Sequence, residues 1–191
     1  MEARLVGQLR VVDGDEVDWI TRCREGHRVA FEPLVRRYGP RAYHFALGMV
    51  RNPEDARDLS QEAFLRAYLA LSRFDVSRPF YPWFARILRN LCVSHLRRRR
   101  PQVSLDEPVA AGLGPTTSSK TETRLWLEQG LNRLDDKDRE ILILKEFQGL
   151  SYQELSEVIG IPRGTVMSRL YHARRRLRVL LAPMLRRTGL E

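Results

Sequence analysis

The segment SYQELSEVIGIPRGTVMSRLYHARRRL, residues 151–177, decides the fold of the second half of this chain. Ser151 and Glu154 form a capping-box pair, which predicts the start of a helix, and Gly160 predicts its end. Pro162 suits the first position of another helix, because that position needs no N–H donor. The pattern therefore predicts two helices joined by a tight turn, which is a helix-turn-helix.

The second of these helices has two different faces. Helical spacing predicts an inward apolar face of Val166, Leu170, Ala173, Leu177 and Leu180. The outward face then carries hydrogen-bond donors that suit guanine edges and phosphates in a major groove. These candidate DNA contacts are Arg163, Thr165, Ser168, Arg169, His172, Arg175 and Arg176. A solvated basic face is the alternative, and a helix-turn-helix alone is compatible with repressors, activators and recombinases.

The first half of the chain also follows helical spacing, and no strand-like alternation occurs. Asp15 is the expected N-cap of a helix that ends near Gly26, and Gly39-Pro40 is expected to break or kink the next helix. Further helices are expected from Pro53 to Leu71 and from Pro79 to Arg99. Pro and Gly residues in 101–120 cannot sustain a helix, which predicts a flexible linker.

The predicted fold class is therefore all-α, with two small helical domains. The expected boundaries are an N-terminal tail at 1–15, a first domain at 16–100, the linker at 101–120, a second domain at 121–185 and a C-terminal tail at 186–191.

Composition narrows the class of function. A formal net charge of +9 over 191 residues favours a polyanionic partner, with nucleic acid before anionic lipid. No apolar run is long enough to cross a bilayer, and no signal-peptide core follows Met1, so we expect a cytoplasmic protein without membrane insertion. The two cysteines are too few for a disulfide framework.

Two kinds of chemical site are disfavoured by the sequence. Cys23, His27, Cys92 and His95 have helical spacings that permit a zinc site, but Cys23 and Cys92 also fit buried apolar positions, which is the favoured interpretation. The chain has no phosphate-gripping glycine motif and no Ser, His and Asp set at interpretable spacing. We therefore expect no enzymatic activity, no metal and no cofactor.

Three motifs resemble one known family. Residues 150–156 (LSYQELS) with 164–170 (GTVMSRL) resemble region 4, the promoter-reading domain of extracytoplasmic-function (ECF) sigma factors of the sigma-70 family. Residues 55–64 (DARDLSQEAF) resemble the helix of region 2 that binds core RNA polymerase. Residues 82–90 (PWFARILRN) resemble the promoter-melting helix. Met167 stands where the family often has a basic residue, which affects promoter preference.

This resemblance implies a promoter-specific subunit of RNA polymerase. Asp58, Gln61 and Glu62 share an outward helix face. In the family this face docks on the clamp coiled coil of the largest subunit, with Phe64 completing the contact. Region 4 is expected to bind the flap of the second largest subunit and the minus-thirty-five promoter element. The resemblance also implies an anti-sigma factor as a partner and a nucleoid association within the holoenzyme.

The expected minus-ten surface combines aromatic rings with basic side chains. Phe74, Arg78, Phe80 and Tyr81 can stack on unpaired bases and hold phosphate, whereas Trp83 is expected to serve mainly in packing. A stripe on the following helix can bind upstream phosphates and base edges. Its members are Arg86, Arg89, Asn90, Val93 and Arg97.

Three other functions compete with a sigma factor. An autonomous helix-turn-helix regulator would bind duplex DNA without polymerase, and the first domain argues against it. A decoy that titrates an anti-sigma factor would not need both basic surfaces. An enzyme is the weakest alternative.

Overall fold

The computed structural model describes residues 13–99 and 119–188, with side chains described to 99 and again from 126 to 183. Within those ranges every regular element is helical, and the chain divides into two compact units on either side of residue 106. The prediction of an all-helical fold is confirmed. The predicted linker lies outside the described residues except for 119–120, and the predicted N-terminal tail except for 13–15. The last helix ends at Thr188, so it includes the first three residues of the predicted C-terminal tail.

Four α-helices form the first unit. They are α1 (Gly14–Arg24), α2 (Glu32–Val50), α3 (Pro53–Ala70) and α4 (Phe80–Arg99), and 3₁₀ turns occupy Arg28–Phe31 and Leu71–Arg73. Helix α2 packs against both α3 and α4, and α3 packs against α4. We refer to residues 74–79 as the α3–α4 loop.

The start of α1 differs from the expected one, and α2 has no break at Gly39-Pro40, where a break or a kink was expected. The N-cap of α1 is Asp13, whose side chain accepts a hydrogen bond from the Asp15 backbone N–H, so the helix begins inside the predicted tail. Helix α2 runs through Pro40 without a break, since the side chains of Tyr38, Ala42 and Phe45 on both sides of the proline are buried. Tertiary packing therefore offsets the hydrogen bond that proline removes.

The core of the first unit is rich in aromatic rings. Phe64 stacks on Phe84 at a centroid distance of 4.4 Å, and Phe80 stacks on Phe84 at 5.8 Å. Tyr38 stacks on Tyr81 at 5.1 Å. Rings from α2, α3 and α4 thus meet in one cluster, which fixes the start of α4 against the rest of the unit.

The second unit contains α5 (Ser119–Asn132), α6 (Asp136–Leu142), α7 (Tyr152–Ile159) and α8 (Arg163–Thr188), with a π-helical turn at Ile143–Phe147. The predicted capping box of Ser151 and Glu154 is present, and Gly160 ends α7 with φ of 77°. Such a left-handed conformation favours glycine, as the sequence predicted. Helix α8 starts at Arg163, so Pro162 precedes the helix instead of opening it.

An aliphatic core supports α8. Val166, Leu170 and Ala173 are buried, in agreement with the predicted inward face, and Leu144, Leu150 and Leu155 are also buried. Leu177 and Leu180, the last two predicted members, are half-buried. Across the described ranges, no helix combines the length and the apolar character that a membrane span requires.

Candidate nucleic-acid and polymerase interfaces

The outward face of α3 begins with polar side chains. Asp58 and Gln61 are exposed, as the helical spacing predicted. Glu62 is half-buried and accepts a hydrogen bond from Arg66 Nε at 2.6 Å. The carboxylate of Glu62 is therefore held by a neighbour four residues away, whereas Asp58 and Gln61 face solvent beside it.

Two leucines extend this face toward the end of α3. Leu65 is 54% exposed and Leu69 is 71% exposed. Spacings of seven and eleven residues from Asp58 place them on the same side of the helix. Neither leucine was among the predicted contacts, although their helical spacing with Asp58 and Gln61 was a usable signal. We call Asp58, Gln61, Glu62, Leu65 and Leu69 the α3 face.

Phe64 does not belong to that face. Its side chain is buried, stacked on Phe84 and in edge contact with Phe31 at 6.4 Å between centroids. The side chain that was expected to complete the polymerase contact is thus buried in this structure, and its role in that contact stays a prediction. Phe64 packs α3 onto the core of the first unit and so holds the α3 face in position.

The rings that were expected to stack on unpaired bases are also buried. Phe74, Phe80 and Tyr81 have exposed fractions of 5%, 0% and 2%. Trp83, expected to serve mainly in packing, is half-buried and contacts Phe74 at 4.8 Å between centroids. Tyr38 of α2 covers Phe80 and Tyr81 by stacking on both rings, and Trp83 packs against Phe74 and Phe80. The stacking of these rings on unpaired bases stays a prediction.

What the α3–α4 loop does expose is polar. Asp75, Ser77 and Arg78 are exposed, and Asp75 Oδ1 accepts hydrogen bonds from the Ser77 N–H at 3.0 Å and the Ser77 Oγ at 2.7 Å. A backbone hydrogen bond from Arg78 N to Asp75 O, at 3.1 Å, closes the turn. We call residues 75–78 the loop tip. Of the four predicted members of this surface, Arg78 alone is exposed.

The predicted stripe on α4 lies on one side of the helix. Arg86, Asn90 and Arg97 are exposed, and Arg89 is half-buried with its Nη1 donating to Asn90 Oδ1 at 3.3 Å. Three guanidinium groups and an amide therefore follow one line over about three turns, which can neutralise successive backbone phosphates.

On helix α8, unlike around the α3–α4 loop, most of the predicted DNA contacts are exposed. The exposed members are Arg163, Thr165, Ser168, His172, Arg175 and Arg176, and Arg169 is half-buried. Most of these side chains lie opposite the buried Val166 and Leu170, so the face is accessible without rearrangement. This geometry suits insertion of the N-terminal half of α8 into a major groove.

The exposed side of α8 also carries Met167 and Tyr171, of which Tyr171 was not predicted, and one predicted contact, Arg176, forms ion pairs within the second unit. Met167 is 55% exposed and Tyr171 is 63% exposed, so the face is mixed apolar and polar. Such side chains can contact thymine methyl groups. Arg176 pairs with Asp138 and lies 3.4 Å from Asp135, which ties it to the start of α6.

The turn before α8 is fixed by side-chain contacts. Ser156 Oγ donates to the Ile161 carbonyl at 2.6 Å, and Arg174 donates to Glu146 Oε1 from Nη2 at 2.6 Å and from Nε at 3.0 Å. The bond to Glu146 raises the pKa of Arg174. These contacts hold α8 in one orientation relative to the preceding helices, as a rigid reading element requires.

The four residues considered for zinc do not form a site. Cys23 and Cys92 are buried, whereas His27 is exposed. His95 Nε2 lies 3.3 Å from Asp55 Oδ2. Burial raises the pKa of the Cys23 thiol, which disfavours the thiolate that a metal needs. The described ranges contain no group of three or more His, Cys, Asp and Glu residues that could hold a metal ion.

Family models match most of the chain. Residues 34–102 match Sigma-70 region 2, and residues 124–177 match Sigma-70, region 4. The ECF RNA polymerase sigma factor SigW of Bacillus subtilis strain 168 is 33% identical over 173 residues, which cover 83% of this chain and 92% of SigW. The ECF RNA polymerase sigma-E factor of Escherichia coli K12 is 31% identical over 182 residues, covering 88% and 95%.

Solved structures agree with this assignment. CnrH in complex with the cytosolic domain of CnrY has a TM-score of 0.69 and 28% identity, covering 88% of this chain and 98% of that one. The sigma factor RpoE in complex with the anti-sigma factor NepR from Bartonella quintana has a TM-score of 0.69 and 28% identity, covering 80% and 96%. The chain belongs to the ECF sigma factors of the sigma-70 family, non-catalytic subunits that direct RNA polymerase to initiate transcription at promoters.

Proposed function

We propose that this sigma factor uses three separate surfaces to bind different partners during transcription initiation. The α3 face docks on the clamp coiled coil of the largest polymerase subunit. The loop tip and the α4 stripe bind the minus-ten element and its melted strand. The exposed side of α8 reads the minus-thirty-five element, and the second unit also contacts the flap of the second largest subunit.

The exposure of α8 is the observation that carries this proposal. Thr165, Ser168, His172 and Arg175 are exposed and stand on a helix whose other side is buried. A helix held in this way can enter a major groove while its donors remain free to choose between base edges and phosphates. The arrangement supports direct reading of duplex DNA by the second unit.

The composition of the α3 face supports a protein partner. Asp58 and Gln61 supply polar contacts, and the exposed leucines Leu65 and Leu69 supply apolar area that water hydrates poorly. A central apolar cluster with polar neighbours is the usual composition of a protein interface. The helical repeat of the face also suits packing against another helix, as a coiled coil would provide.

The surfaces of α4 and the loop tip support a nucleic-acid partner. Arg78, Arg86 and Arg97 are exposed cations in the first unit. Phosphate contacts position a strand and base contacts select its sequence, so arginines suit the first task and Asn90 suits the second. The buried rings hold the surface in place and do not themselves stack on bases in this conformation.

Regulation by an anti-sigma factor forms part of the proposal. Two structurally similar proteins were solved in complexes: CnrH with the cytosolic domain of CnrY, and the sigma factor RpoE with the anti-sigma factor NepR. A partner that covers the α3 face would block polymerase binding directly. Its site of action would be the cytoplasm, with the sigma factor at the nucleoid when it is part of the holoenzyme.

A binding assay with core polymerase tests the proposal. The double variant Asp58→Ala with Gln61→Ala should weaken binding to core polymerase and lower promoter-dependent transcription, while thermal unfolding stays nearly unchanged because both side chains are exposed. The matched control is Asp18→Ala with Arg22→Ala, an exposed pair on α1. Equal affinity of both double variants for core polymerase would remove the docking assignment.

A further inference from the structure

Helix α1 contacts both ends of the α3–α4 loop through two side chains. At the entrance, Arg24 Nε and Nη2 donate to the Leu71 carbonyl at 3.1 and 3.0 Å, and Nη2 also donates to the Phe74 carbonyl. At the exit, Glu16 Oε2 accepts a hydrogen bond from the Phe80 backbone N–H at 3.4 Å. One short helix therefore holds two points that are nine residues apart in the loop region.

The Glu16 end of this arrangement is buried and well connected. The Glu16 side chain is 7% exposed, it accepts a hydrogen bond from Tyr38 Oη, and Arg37 Nη1 lies 3.4 Å from Oε1. Burial, followed by the bond to Glu16, raises the pKa of the Tyr38 hydroxyl, which keeps it a donor. A carboxylate at the first N–H of α4 also interacts favourably with the helix dipole.

Arg24 joins the Leu71 and Phe74 carbonyls at the loop entrance through the forked geometry of its guanidinium group. The guanidinium reaches two carbonyls at once, and these carbonyls belong to the 3₁₀ turn and to the first loop residue. Planar guanidinium supplies several donors in a fixed fork, whereas a lysine ammonium acts as a point donor. Ile20 and Cys23 are buried on the same helix and fix its position.

Between the buried Phe74 and Phe80 the chain exposes its tip. Phe74 and Phe80 are buried at the two ends, and residues 75–78 form a turn held by Asp75. The direction in which Arg78 leaves the surface therefore depends on where α1 holds the two ends. Helix α1 lies outside residues 34–102, which match the family model for region 2.

We propose that Arg24 and Glu16 are positioning residues for promoter opening, which set the geometry of the loop tip without touching DNA. The inference rests on the proposed function in one respect, namely that the loop tip contacts the minus-ten region. Loss of Arg24 leaves the Leu71 and Phe74 carbonyls without this partner and lets the loop entrance move. The consequence is a loop tip that meets the melted strand in many orientations instead of one.

The test uses the full-length protein with core polymerase at saturating concentration. Permanganate reactivity of unpaired thymines reports opening, and initiation from promoters substituted singly at each position reports base preference. Arg24→Ala should lower minus-ten opening about tenfold, as expected when carbonyl partners are lost, and should flatten base preference there. Affinity for core polymerase and preference at the minus-thirty-five element should stay within about twofold.

Three further variants make the outcome decisive. Arg24→Lys should restore part of the opening, since lysine donates to one carbonyl, and Glu16→Gln should reproduce the defect more weakly because an acceptor remains. Arg22→Ala, an exposed neighbour on α1, should behave as wild type. Unchanged opening in Arg24→Ala, or a parallel loss of core binding and both promoter preferences in Arg24→Ala and Arg24→Lys, overturns the inference.

Failure of the proposed function would appear differently. If Arg78→Ala leaves opening and minus-ten preference as in the wild type, the loop tip is not a DNA contact. A defect in Arg24→Ala would then have another origin, and the positioning role would be refuted along with the loop assignment. A defect in Arg78→Ala together with normal opening in Arg24→Ala would refute the positioning role alone.

Discussion

Helix α8 and the α3–α4 loop are both candidate DNA surfaces, yet they relate to the sequence in opposite ways. On α8 the predicted donors Ser168, His172 and Arg175 are exposed, and Val166 and Leu170 are buried as predicted. In the loop region the rings expected to stack on bases are buried instead. The difference comes from what determines exposure in each case.

On a helix that packs one side against a core, exposure follows from spacing. Once Val166 and Leu170 are assigned inward, the 3.6-residue period determines which side chains face outward. Phe74 lies in the α3–α4 loop, which has no such period, and Phe80 and Tyr81 are the first two residues of α4. Burial of Phe80 and Tyr81 depends on Tyr38 of α2, about forty residues earlier in the chain, and no local pattern contains that information.

The largest expected effect contrasts a buried ring with an exposed one. Phe80→Ala should destabilise the protein by about 3–5 kcal/mol, because the ring is fully buried among Tyr38, Phe74 and Phe84. Tyr171→Ala should change stability by less than about 0.5 kcal/mol. Urea unfolding measures both. If the two variants lose similar stability, the contrast between the buried rings around the α3–α4 loop and the exposed side of α8 does not hold.

The next effect concerns the apolar end of the α3 face. Leu65→Ala combined with Leu69→Ala should weaken binding to core polymerase by about 2 kcal/mol or more, since exposed apolar groups at the centre of an interface often dominate its energy. Stability should hardly change, because both side chains are exposed. Titration of labelled sigma factor with core polymerase measures the affinity. Val29→Ala is the control, an exposed apolar residue away from α3; a loss as large there would argue against a local interface.

A smaller effect is expected on α8. Arg169→Ala should weaken binding to the minus-thirty-five element by ~1–3 kcal/mol and relax base preference, if the guanidinium pairs with a base edge. Lys137→Ala removes one exposed charge from α6 and should show only the small loss that net charge explains. Competition with mutated duplexes separates these cases. A loss of equal size on every sequence would make Arg169 a phosphate contact.

The smallest effect tests the capping box at the start of α7, the first helix of the helix-turn-helix. Ser151→Ala removes the N-cap hydrogen bond to the Glu154 N–H and should destabilise the second unit by about 1 kcal/mol. Ser168→Ala on α8 is the comparison, because its hydroxyl donates to the Thr165 carbonyl within an exposed helix face. Thermal unfolding measured by circular dichroism should separate them. Equal melting temperatures would mean that the capping box adds little.

Much of the fold was accessible from sequence because its signals are local. The capping box, the left-handed Gly160 and the apolar spacing of α3 and α8 all lie within a few residues of what they predict. The errors concern tertiary contacts. Helix α2 has no break at Pro40, where a break or a kink was expected, and Phe64 is buried against Phe84. Packing by Tyr38, Phe84 and neighbouring rings has no local signature in the sequence.

The candidate surfaces show the same difference between features with a local sequence signal and features that depend on tertiary contacts. Leu65, Leu69 and Tyr171 were missed although their helical spacing placed them beside predicted contacts, so closer use of periodicity would have found them. Arg24 and Glu16 are different. Their partners Leu71 and Phe80 lie 47 and 64 residues away in the sequence. From the sequence alone, the charges of Arg24 and Glu16 are explained equally well by a solvated helix face.

Selection of active promoters from a randomised library by wild-type, Arg78→Ala and Ser168→Ala holoenzymes tests most directly the claim that separate surfaces read separate promoter elements. The account predicts that Arg78→Ala changes the selected bases only in the minus-ten region. Ser168→Ala should change them only in the minus-thirty-five region. If both variants alter the same positions, or if neither departs from the wild-type selection, the division of labour between the two units is contradicted.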